Sequence, residues 1–219
     1  MQPFPRPTIP HILFIAERSY CNSPAHWLLT CMDFVPILLA YPQVSIQIRN
    51  KYGASAETEA VLQCFSPYIE KHPQLQKQLW INDTTIPISS YPWPRHLPES
   101  TALQTATLSV PIAISVHSIN SLVTHTQPLF LQFGAIFPTS KPVEPLGLEK
   151  LREFCAYSKQ PVLAVGGINS IEKVQQCLEN GVAGVSIGSW LVNSPTKELH
   201  IQQILHLVLS FSKPMLHNG

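Results

Sequence analysis

The chain has 219 residues, a formal net charge of +1, 45% apolar residues and only 12% charged residues. This length is enough to bury the core of one α/β domain, and the composition excludes a disordered protein. The small net charge excludes the basic field that nucleic acid or anionic membranes attract, so we expect neither partner. No apolar run approaches the about 18 residues that span a bilayer.

The cysteines and the N-terminus bear on the cellular compartment. The five cysteines are scattered, odd in number and without a C-x-x-C pair, which is typical of reduced thiols rather than of a disulfide or zinc framework. They are Cys21, Cys31, Cys64, Cys155 and Cys177. The N-terminal stretch MQPFPRPTIP has prolines where a signal peptide needs an apolar helix. We therefore expect a cytoplasmic protein.

Eight short stretches, most of them apolar, are predicted to be strands. In chain order they are His11–Ala16, Val44–Arg49, Gln78–Asn82, Arg95–Leu97, Ile112–Val116, Leu129–Gly134, Val162–Val165 and Gly184–Ile187.

Helical patterns lie between most of these runs. Pro36 is expected to kink or split the first of them. The section Thr84–Glu99 is poor in helix formers, so the third unit is expected to lack a regular helix. The helices are predicted at Pro24–Leu39, which contains Pro36, and at Ala54–Tyr68, Ser118–Thr124, Leu148–Ser158 and Thr196–Phe211, besides the one that follows the seventh strand.

This alternation predicts the fold class α/β, as a single (β/α)8 TIM barrel domain spanning residues 1–219. A doubly wound sheet is the competing architecture, and it usually carries a Gly-rich turn after the first strand. Here the first strand ends in Glu17-Arg18 and the glycines come late. The late glycines favour the barrel.

The stretch Pro161–Ser189 contains a strand–helix–strand unit with glycine at the carboxyl end of both strands. Asn169 is expected to cap the helix, with Glu172 at capping-box spacing, and Gly181 to end it. Glycine turns let backbone N–H groups approach an anion, and barrels commonly hold phosphate after strands 7 and 8. The turns predict a phosphate site; two ordinary tight turns are the alternative. The site would comprise Gly166, Gly167, Gly188 and Ser189.

Polar side chains cluster at the other predicted strand ends, where barrel chemistry occurs. These groups suit holding anions and moving a proton. They are Gln47, Arg49, Lys51, Asn82, Asp83, Ser115, His117, Thr139, Ser140 and Lys141. Inert loop charges, an Asn82-Asp83 turn and a core histidine are the alternatives. His26, His96 and His125 lack supporting neighbours in sequence and are interpreted as structural.

The ordered set of these stretches resembles the thiamine phosphate synthase/TenI superfamily, and the resemblance covers Ile12 to about Pro195. The matching stretches are QIRNK (47–51), IND (81–83), HL (96–97), SVHS (115–118), FGAIFPTSKP (133–142), PLGLEKL (145–151), VGGI (165–168) and SIGS (186–189). The resemblance implies a (β/α)8 barrel acting in thiamine biosynthesis, with a thiazole phosphate held by the late glycine turns.

Two activities share that barrel. Thiamine phosphate synthase joins hydroxymethylpyrimidine diphosphate to thiazole phosphate, and the resemblance implies Mg2+ as its cofactor, with Asp83 as a metal ligand. Its diphosphate-site positions are matched by Gln47, Arg49, Lys51, Asn82, Asp83, Ser115 and Lys141. The TenI branch is a thiazole tautomerase, which aromatises a thiazole phosphate carboxylate without a cofactor. The resemblance implies His117 as its general acid/base.

Two departures of this sequence from the usual synthase pattern favour the tautomerase. Thr101 stands where the synthase usually has a second metal-binding Asp, with Glu99 two positions away. The loop F-P-T-S-K is one residue shorter than the usual synthase loop. The tautomerase is thus the first expectation and the synthase the alternative. A non-catalytic binder of thiazole or thiamine phosphates is a third, and a homodimer is compatible with the family.

Overall fold

The protein is described by a computed structural model that covers residues 8–82, 85–102, 109–118 and 128–212. Eight parallel strands form a closed barrel in sequential order, with β8 paired back to β1. The strands are β1 Ile12–Glu17, β2 Val44–Arg49, β3 Leu79–Asn82, β4 Arg95–Pro98, β5 Ile112–Val116, β6 Phe130–Gly134, β7 Val162–Val165 and β8 Gly184–Ile187. The predicted (β/α)8 fold is confirmed, with strand bounds within one residue of the expectation.

The helices pack around this barrel. Their bounds are α1 Pro24–Met32, α2 Val35–Ala40, α3 Ser55–Lys71, α4 Glu99–Ala102, α5 Gly147–Tyr157, α6 Ile171–Glu179, α7 Ser189–Val192 and α8 Lys197–Ser212. Pro36 splits the first helical region in two, as expected, because proline fits the first turn of α2 but not a helix interior. The predicted helix Ser118–Thr124 lies outside the described residues after Ser118.

Each strand buries both faces because helices cover the outside and side chains fill the bore. Outward aromatic rings stack on helix or loop rings: the centroids of Phe133 and Phe154 are 4.2 Å apart. The lower part of the bore is filled by an apolar cluster. Its buried members are Leu13, Trp80, Ala113, Phe130 and Leu163. The open, functional end of the barrel is therefore the carboxyl end of the strands.

The cap of α6 differs from the expectation. Ser170, not Asn169, is the cap: its Oγ accepts a hydrogen bond from the Lys173 amide at 3.4 Å. Asn169 Oδ1 instead accepts a hydrogen bond from Lys173 Nζ at 2.8 Å. Asparagine and serine can both cap a helix. Here the loop before α6 is one residue longer than expected, so Ser170 is the cap. Gly181 follows the helix with φ +91°, as expected.

No helix in the described ranges has the length and apolar character needed to cross a membrane. The assignment of residues 1–219 to one domain, the cytoplasmic location and the homodimer stay predictions.

Candidate active site

The carboxyl ends of β1, β2 and β3 place three polar side chains side by side. Strand register aligns Glu17 with Arg49, and Arg49 with Asn82. Glu17 is only 2% exposed and forms an ion pair with the Arg49 guanidinium. Burial lowers the pKa of Arg49 from its ordinary value. Glu17 therefore fixes the position of the arginine at the open, carboxyl end of the barrel, which is termed the mouth below. No local sequence motif signals this role of Glu17.

The turn after β2 presents two more side chains. Asn50 shapes this turn, since its Oδ1 accepts from the Gly53 amide at 2.9 Å and its Nδ2 donates to the Ala54 carbonyl at 3.1 Å. Lys51 Nζ lies 5.1 Å from the centre of the Tyr52 ring. A hydrogen bond from Lys51, together with its charge, lowers the pKa of the exposed Tyr52.

Lys141 reaches the same side of the mouth from the loop after β6. Burial lowers the pKa of Lys141, and the nearby charges of Arg49 and Lys51 lower it further. The structure thus brings together three cations that lie far apart in the sequence. This set of Arg49, Lys51 and Lys141 is termed the cation cluster below.

The loop that carries Lys141 is held at its base by backbone hydrogen bonds. The Leu146 amide donates to the Ala135 carbonyl at 2.8 Å, and the Phe137 amide donates to the Gly166 carbonyl at 3.0 Å. Near the tip, Thr139 Oγ1 accepts from the Lys141 amide at 3.2 Å. Thr139 therefore shapes the segment that positions Lys141, while its predicted contact with a ligand stays a prediction.

Below the cation cluster, the bore holds neutral polar groups. Gln132 Nε2 donates to Gln47 Oε1 at 3.4 Å, and both residues are buried. His96 Nε2 lies 3.2 Å from Ser115 Oγ. Burial, with a smaller contribution from the Arg49 charge, lowers the pKa of His96 to about 3, so the ring is neutral near pH 7. This group of Gln47, Gln132, His96 and Ser115 is termed the polar layer.

Two members of the polar layer were missed by sequence reasoning. His96 was interpreted as structural because no neighbour in sequence supported it, and Gln132 was not singled out. Both face the bore because of strand alternation: His96 pairs in register with Ala113, and Gln132 with Ser115. The alternation of inward-facing and outward-facing side chains along each strand is the sequence signal that could have identified His96 and Gln132.

His117 lies apart from the polar layer. Its side chain is exposed, and its Nδ1 lies 2.5 Å from the Gly134 carbonyl oxygen. A carbonyl only accepts, so Nδ1 carries the proton and Nε2 of the neutral ring is the acceptor. The ring borders a half-open cleft of about 170 Å3. The cleft lining comprises His117, Ser118, Phe133, Leu146 and Lys150.

The turn after β7 has the left-handed backbone that the glycine pair predicted. Gly166 has φ +96° and Gly167 has φ +69°. A Cβ on Gly166 would lie 2.5 Å from Ala135 Cα, and one on Gly167 would lie 2.5 Å from the Pro138 carbonyl oxygen. These glycines are therefore required for packing the Lys141 loop against the turn. Phosphate binding there stays a prediction.

The end of β8 lies against an aromatic side chain from the first loop. A Cβ on Gly188 would lie 3.3 Å from the Tyr20 hydroxyl oxygen. Burial raises the pKa of Tyr20, which keeps the phenol protonated and able to donate a hydrogen bond. Ser189 follows with an exposed side chain. Tyr20 therefore adds a hydroxyl to the turn predicted to hold phosphate.

Oxygen donors for a divalent cation lie at the ends of β3 and β4. Asn82 is half-buried next to Arg49, and Glu99 is half-buried and begins α4. Asp83, the predicted metal ligand, lies outside the described residues, as does the side chain of Thr101. Within the described ranges no three His, Cys, Asp or Glu side chains group as metal ligands. Asn82 and Glu99 carry oxygen atoms of the kind that Mg2+ prefers, and this ion fills the rest of its shell with water and phosphate oxygens.

Fold and site together define a (β/α)8 barrel with a cationic, hydrogen-bonding mouth at the carboxyl ends of its strands. The sequence model of the family described as "Thiamine monophosphate synthase" matches residues 30–191. The chain belongs to this family, which places it in the thiamine phosphate synthase/TenI superfamily.

Individual relatives agree with the family assignment. The chain is 29% identical over 198 residues to the thiamine-phosphate synthase of Latilactobacillus sakei, covering 80% of this chain and 84% of that one. A shorter match to the thiamine-phosphate synthase of Pyrococcus horikoshii has 44% identity over 62 residues, or 30% of that protein. These names favour the synthase alternative over the tautomerase expectation.

Solved structures show the same fold. The thiamine phosphate pyrophosphorylase of Pyrococcus furiosus superimposes with a TM-score of 0.69 at 18% identity, over 92% of this chain and 96% of that one. The BexX/CysO complex of Amycolatopsis orientalis gives a TM-score of 0.62 at 15% identity, over 96% of this chain and 94% of that one.

Proposed function

We propose that this protein is a thiamine phosphate synthase, which joins hydroxymethylpyrimidine diphosphate to thiazole phosphate and releases diphosphate. The observation that carries the proposal is the cation cluster. A leaving diphosphate gains negative charge in the transition state, and fixed cations beside it lower the barrier. A tautomerase moves only a proton and has no comparable need for three cations at the mouth.

The bond changes require no proton transfer by the protein. The carbon–oxygen bond between the pyrimidine methylene and diphosphate breaks, and diphosphate keeps the electron pair. The lone pair of the thiazole nitrogen then forms the new carbon–nitrogen bond, which gives the thiazolium product. The protein's work is thus to align the two rings and to stabilise the leaving group.

The residues of the mouth divide this work. Glu17 holds Arg49 in place before substrate arrives, so little reorganisation is needed at the reacting centre. Lys141 joins from its loop, whose base is fixed by the Ala135–Leu146 hydrogen bond. We assign the phosphate of the thiazole to the glycine turns and to the Tyr20 hydroxyl that lies beside Gly188. The side chains of the polar layer are neutral and form hydrogen bonds, which suits contact with an uncharged substrate ring.

Bound Mg2+ would add positive charge beside the diphosphate. Asp83 and Asn82 would hold it, with Glu99 as a further carboxylate close to the end of β4. The resemblance assigns the metal role to Asp83, and the composition of this donor set agrees with it.

The test is a two-arm assay of the purified protein, with and without Mg2+. One arm supplies hydroxymethylpyrimidine diphosphate and aromatic thiazole phosphate and measures thiamine phosphate. The other supplies the non-aromatic thiazole phosphate carboxylate and follows aromatisation. We expect Mg2+-dependent thiamine phosphate in the first arm.

Two lysine variants connect the assay to the site. Lys141→Gln removes a member of the cation cluster, and Lys150→Gln removes an exposed lysine of the side cleft. We expect Lys141→Gln alone to lower kcat for coupling, by about tenfold or more. Equal effects of both variants, or coupling without Mg2+, would contradict the proposal.

The tautomerase remains a second candidate because of His117. Its Nδ1–H is held by the Gly134 carbonyl, which leaves Nε2 free to accept a proton at the edge of the cleft. Metal-independent aromatisation that is lost in His117→Gln would support this activity. Binding of thiazole phosphate by calorimetry, with no turnover in either arm, would support the non-catalytic binder instead.

A further inference from the structure

The side chain of Lys173 lies where a helix does not favour a cation. Ser170 caps α6, so Lys173 is the third residue of the helix. The backbone dipole places partial positive charge at this end, which favours acidic side chains such as the neighbouring Glu172 and disfavours a lysine. A residue that breaks a local rule of this kind is expected to be compensated by contacts outside its own element.

The contacts that compensate Lys173 lie in the turn after β7 and in the loop after β6. Its Nζ donates hydrogen bonds to the Gly167 carbonyl at 3.0 Å and to Asn169 Oδ1 at 2.8 Å. The same nitrogen lies 5.0 Å from the centre of the Phe137 ring. Since Lys173 is also half-buried, its ammonium group is held at a defined position beside the turn.

The hydrogen bond to Gly167 sets the direction of one peptide group in this turn. A trans peptide is planar, and its N–H points opposite its C=O. Because the Gly167 carbonyl points towards Lys173, the Ile168 N–H points away from that ammonium group. In the parts of the chain that the structure describes, the amides of Gly167 and Ile168 donate no hydrogen bond. Lys173 therefore directs an unpaired amide of the turn that was predicted to bind phosphate.

Phe137 connects the same lysine to the loop that carries Lys141. The Phe137 amide donates to the Gly166 carbonyl at 3.0 Å, so the loop is attached to the turn. A Cβ on Gly167 would lie 2.7 Å from Phe137 Cβ, which shows how closely the loop packs on the turn. A cation over the face of an aromatic ring is attracted to that ring. Lys173 therefore fixes the position of the turn relative to the loop.

We propose that Lys173 is a positioning residue for the coupling reaction. It directs the Ile168 amide of the turn towards the phosphate of the thiazole, and through Phe137 it holds the loop that brings Lys141 to the diphosphate. The proposal rests on the proposed function for the identity of the two ligands. It explains why a lysine stands at the unfavourable end of α6.

Three variants of α6 test the role of Lys173. Lys173→Met keeps the stem of the side chain and removes its charge and its hydrogen bonds. Lys173→Arg keeps a cation with donors and is the conservative variant. Gln175→Met is the matched control, because it removes an exposed hydrogen bond on the same helix, from Gln175 Nε2 to Glu179 Oε1. Thermal melting establishes that each variant is folded, and Lys173→Gln takes the place of Lys173→Met should the latter not fold.

The readout separates the phosphate from the rest of the substrates. Coupling assays measure kcat and the KM of each substrate, and calorimetry compares thiazole phosphate with the thiazole alcohol that lacks the phosphate. We expect Lys173→Met to raise both KM and Kd for thiazole phosphate about tenfold. The Kd of the alcohol and the KM of hydroxymethylpyrimidine diphosphate should change by less than about twofold, because neither ligand meets the turn through a phosphate. Lys173→Arg should restore the KM for thiazole phosphate to within about threefold, and Gln175→Met should match the unmodified protein.

The connection through Phe137 is tested by a double-mutant cycle. Phe137→Leu keeps an apolar side chain and removes the aromatic face beside the ammonium group. We expect Phe137→Leu and Lys173→Met each to lower kcat about threefold, the value of one cation–π contact, because each loosens the loop of Lys141. The double variant should lose no more kcat than Lys173→Met alone. Losses of kcat that multiply in the double variant would overturn the connection to the loop.

The outcomes separate this inference from the proposed function. Coupling with an unchanged KM for thiazole phosphate in folded Lys173→Met would overturn the inference and leave the function standing. A Kd for thiazole phosphate that depends on Lys173, in a protein that does not couple, would support the inference and overturn the function. Equal increases of Kd for thiazole phosphate and for the alcohol would show a general structural role and overturn the inference. An unmodified protein that binds no thiazole phosphate would overturn both.

Discussion

Two halves of the mouth are built in different ways. The turns after β7 and β8 come from one continuous stretch, Pro161–Ser189, and their shape follows from local glycines with positive φ. The cation cluster, its partner Glu17 and the polar layer come from β1, β2, β4, β5, β6 and the loops after β2 and β6, and their hydrogen bonds join residues up to 85 positions apart. Local backbone chemistry thus shapes one half, and closure of the barrel assembles the other.

The largest expected effect comes from breaking the assembled half at Arg49. Arg49→Met leaves the buried Glu17 carboxylate without its partner, which costs about 3–5 kcal/mol of unfolding free energy. It also removes a cation from the leaving-group site, so kcat/KM should fall by about 10² to 10³. Urea unfolding and steady-state coupling assays measure the two effects. Glu17→Gln should cost less stability, since Arg49 is partly exposed and can be hydrated; equal losses would contradict this asymmetry.

The local half is tested by adding a methyl group to its turn. Gly167→Ala combines positive-φ strain with overlap against Phe137 and Pro138, so we expect a loss of about 2–4 kcal/mol. Gly147→Ala is the matched control: its φ is +81°, but a Cβ there meets nothing within 4 Å. That variant should lose only about 1–2 kcal/mol. Comparable melting temperatures would show that the loop contact at Gly167 contributes little.

The Tyr20 hydroxyl lies where the two halves of the mouth meet, and its removal tests a single hydrogen bond. Tyr20→Phe removes the hydroxyl beside Gly188 and keeps the ring that packs there. We expect KM for thiazole phosphate to rise about tenfold, the value of one hydrogen bond to a charged group, with kcat unchanged. KM for the pyrimidine substrate is the internal control. A matching rise in both KM values would mean that the hydroxyl acts on the mouth as a whole.

The smallest effect concerns pH and the polar layer. Native His96 stays neutral down to about pH 3, whereas the unfolded chain takes up this proton near the ordinary pKa of 6.5. The unfolded state therefore binds more protons between these values, and stability falls as the pH falls below about 6.5. His96 should contribute at most about 1.4 kcal/mol per pH unit. We expect the unfolding free energy of His96→Asn, measured with urea, to depend less steeply on pH between 6.5 and 4.5 than that of the unmodified protein. An identical pH dependence would contradict the neutral, buried state of His96.

Much of the local half could be predicted from residues alone. The strands Val162–Val165 and Gly184–Ile187 have the predicted bounds, because apolar runs between glycines allow few other structures. The cap of α6 shifted by one residue, since Asn169 and Ser170 are both good caps and only the packed turn selects between them.

The assembled half could be predicted only in part. Arg49, Lys51 and Lys141 were identified from strand ends, and the structure brings them together. Glu17, Gln132 and His96 were not assigned to the site, because their roles depend on which face of each strand points into the bore and on which strand lies opposite. His117 was expected at the centre of the chemistry, and the structure places it at a side cleft.

By itself, the sequence determined the alternation of eight strands with helices, the family and the glycine turns, because these follow from short-range patterns of apolar residues, glycine and proline. Only the tertiary structure decided how Glu17 pairs with Arg49 and how Gln47 meets Gln132. The physical reason is that closing a ring of eight strands turns distant residues into neighbours across the bore, and burial there gives each hydrogen bond its selectivity.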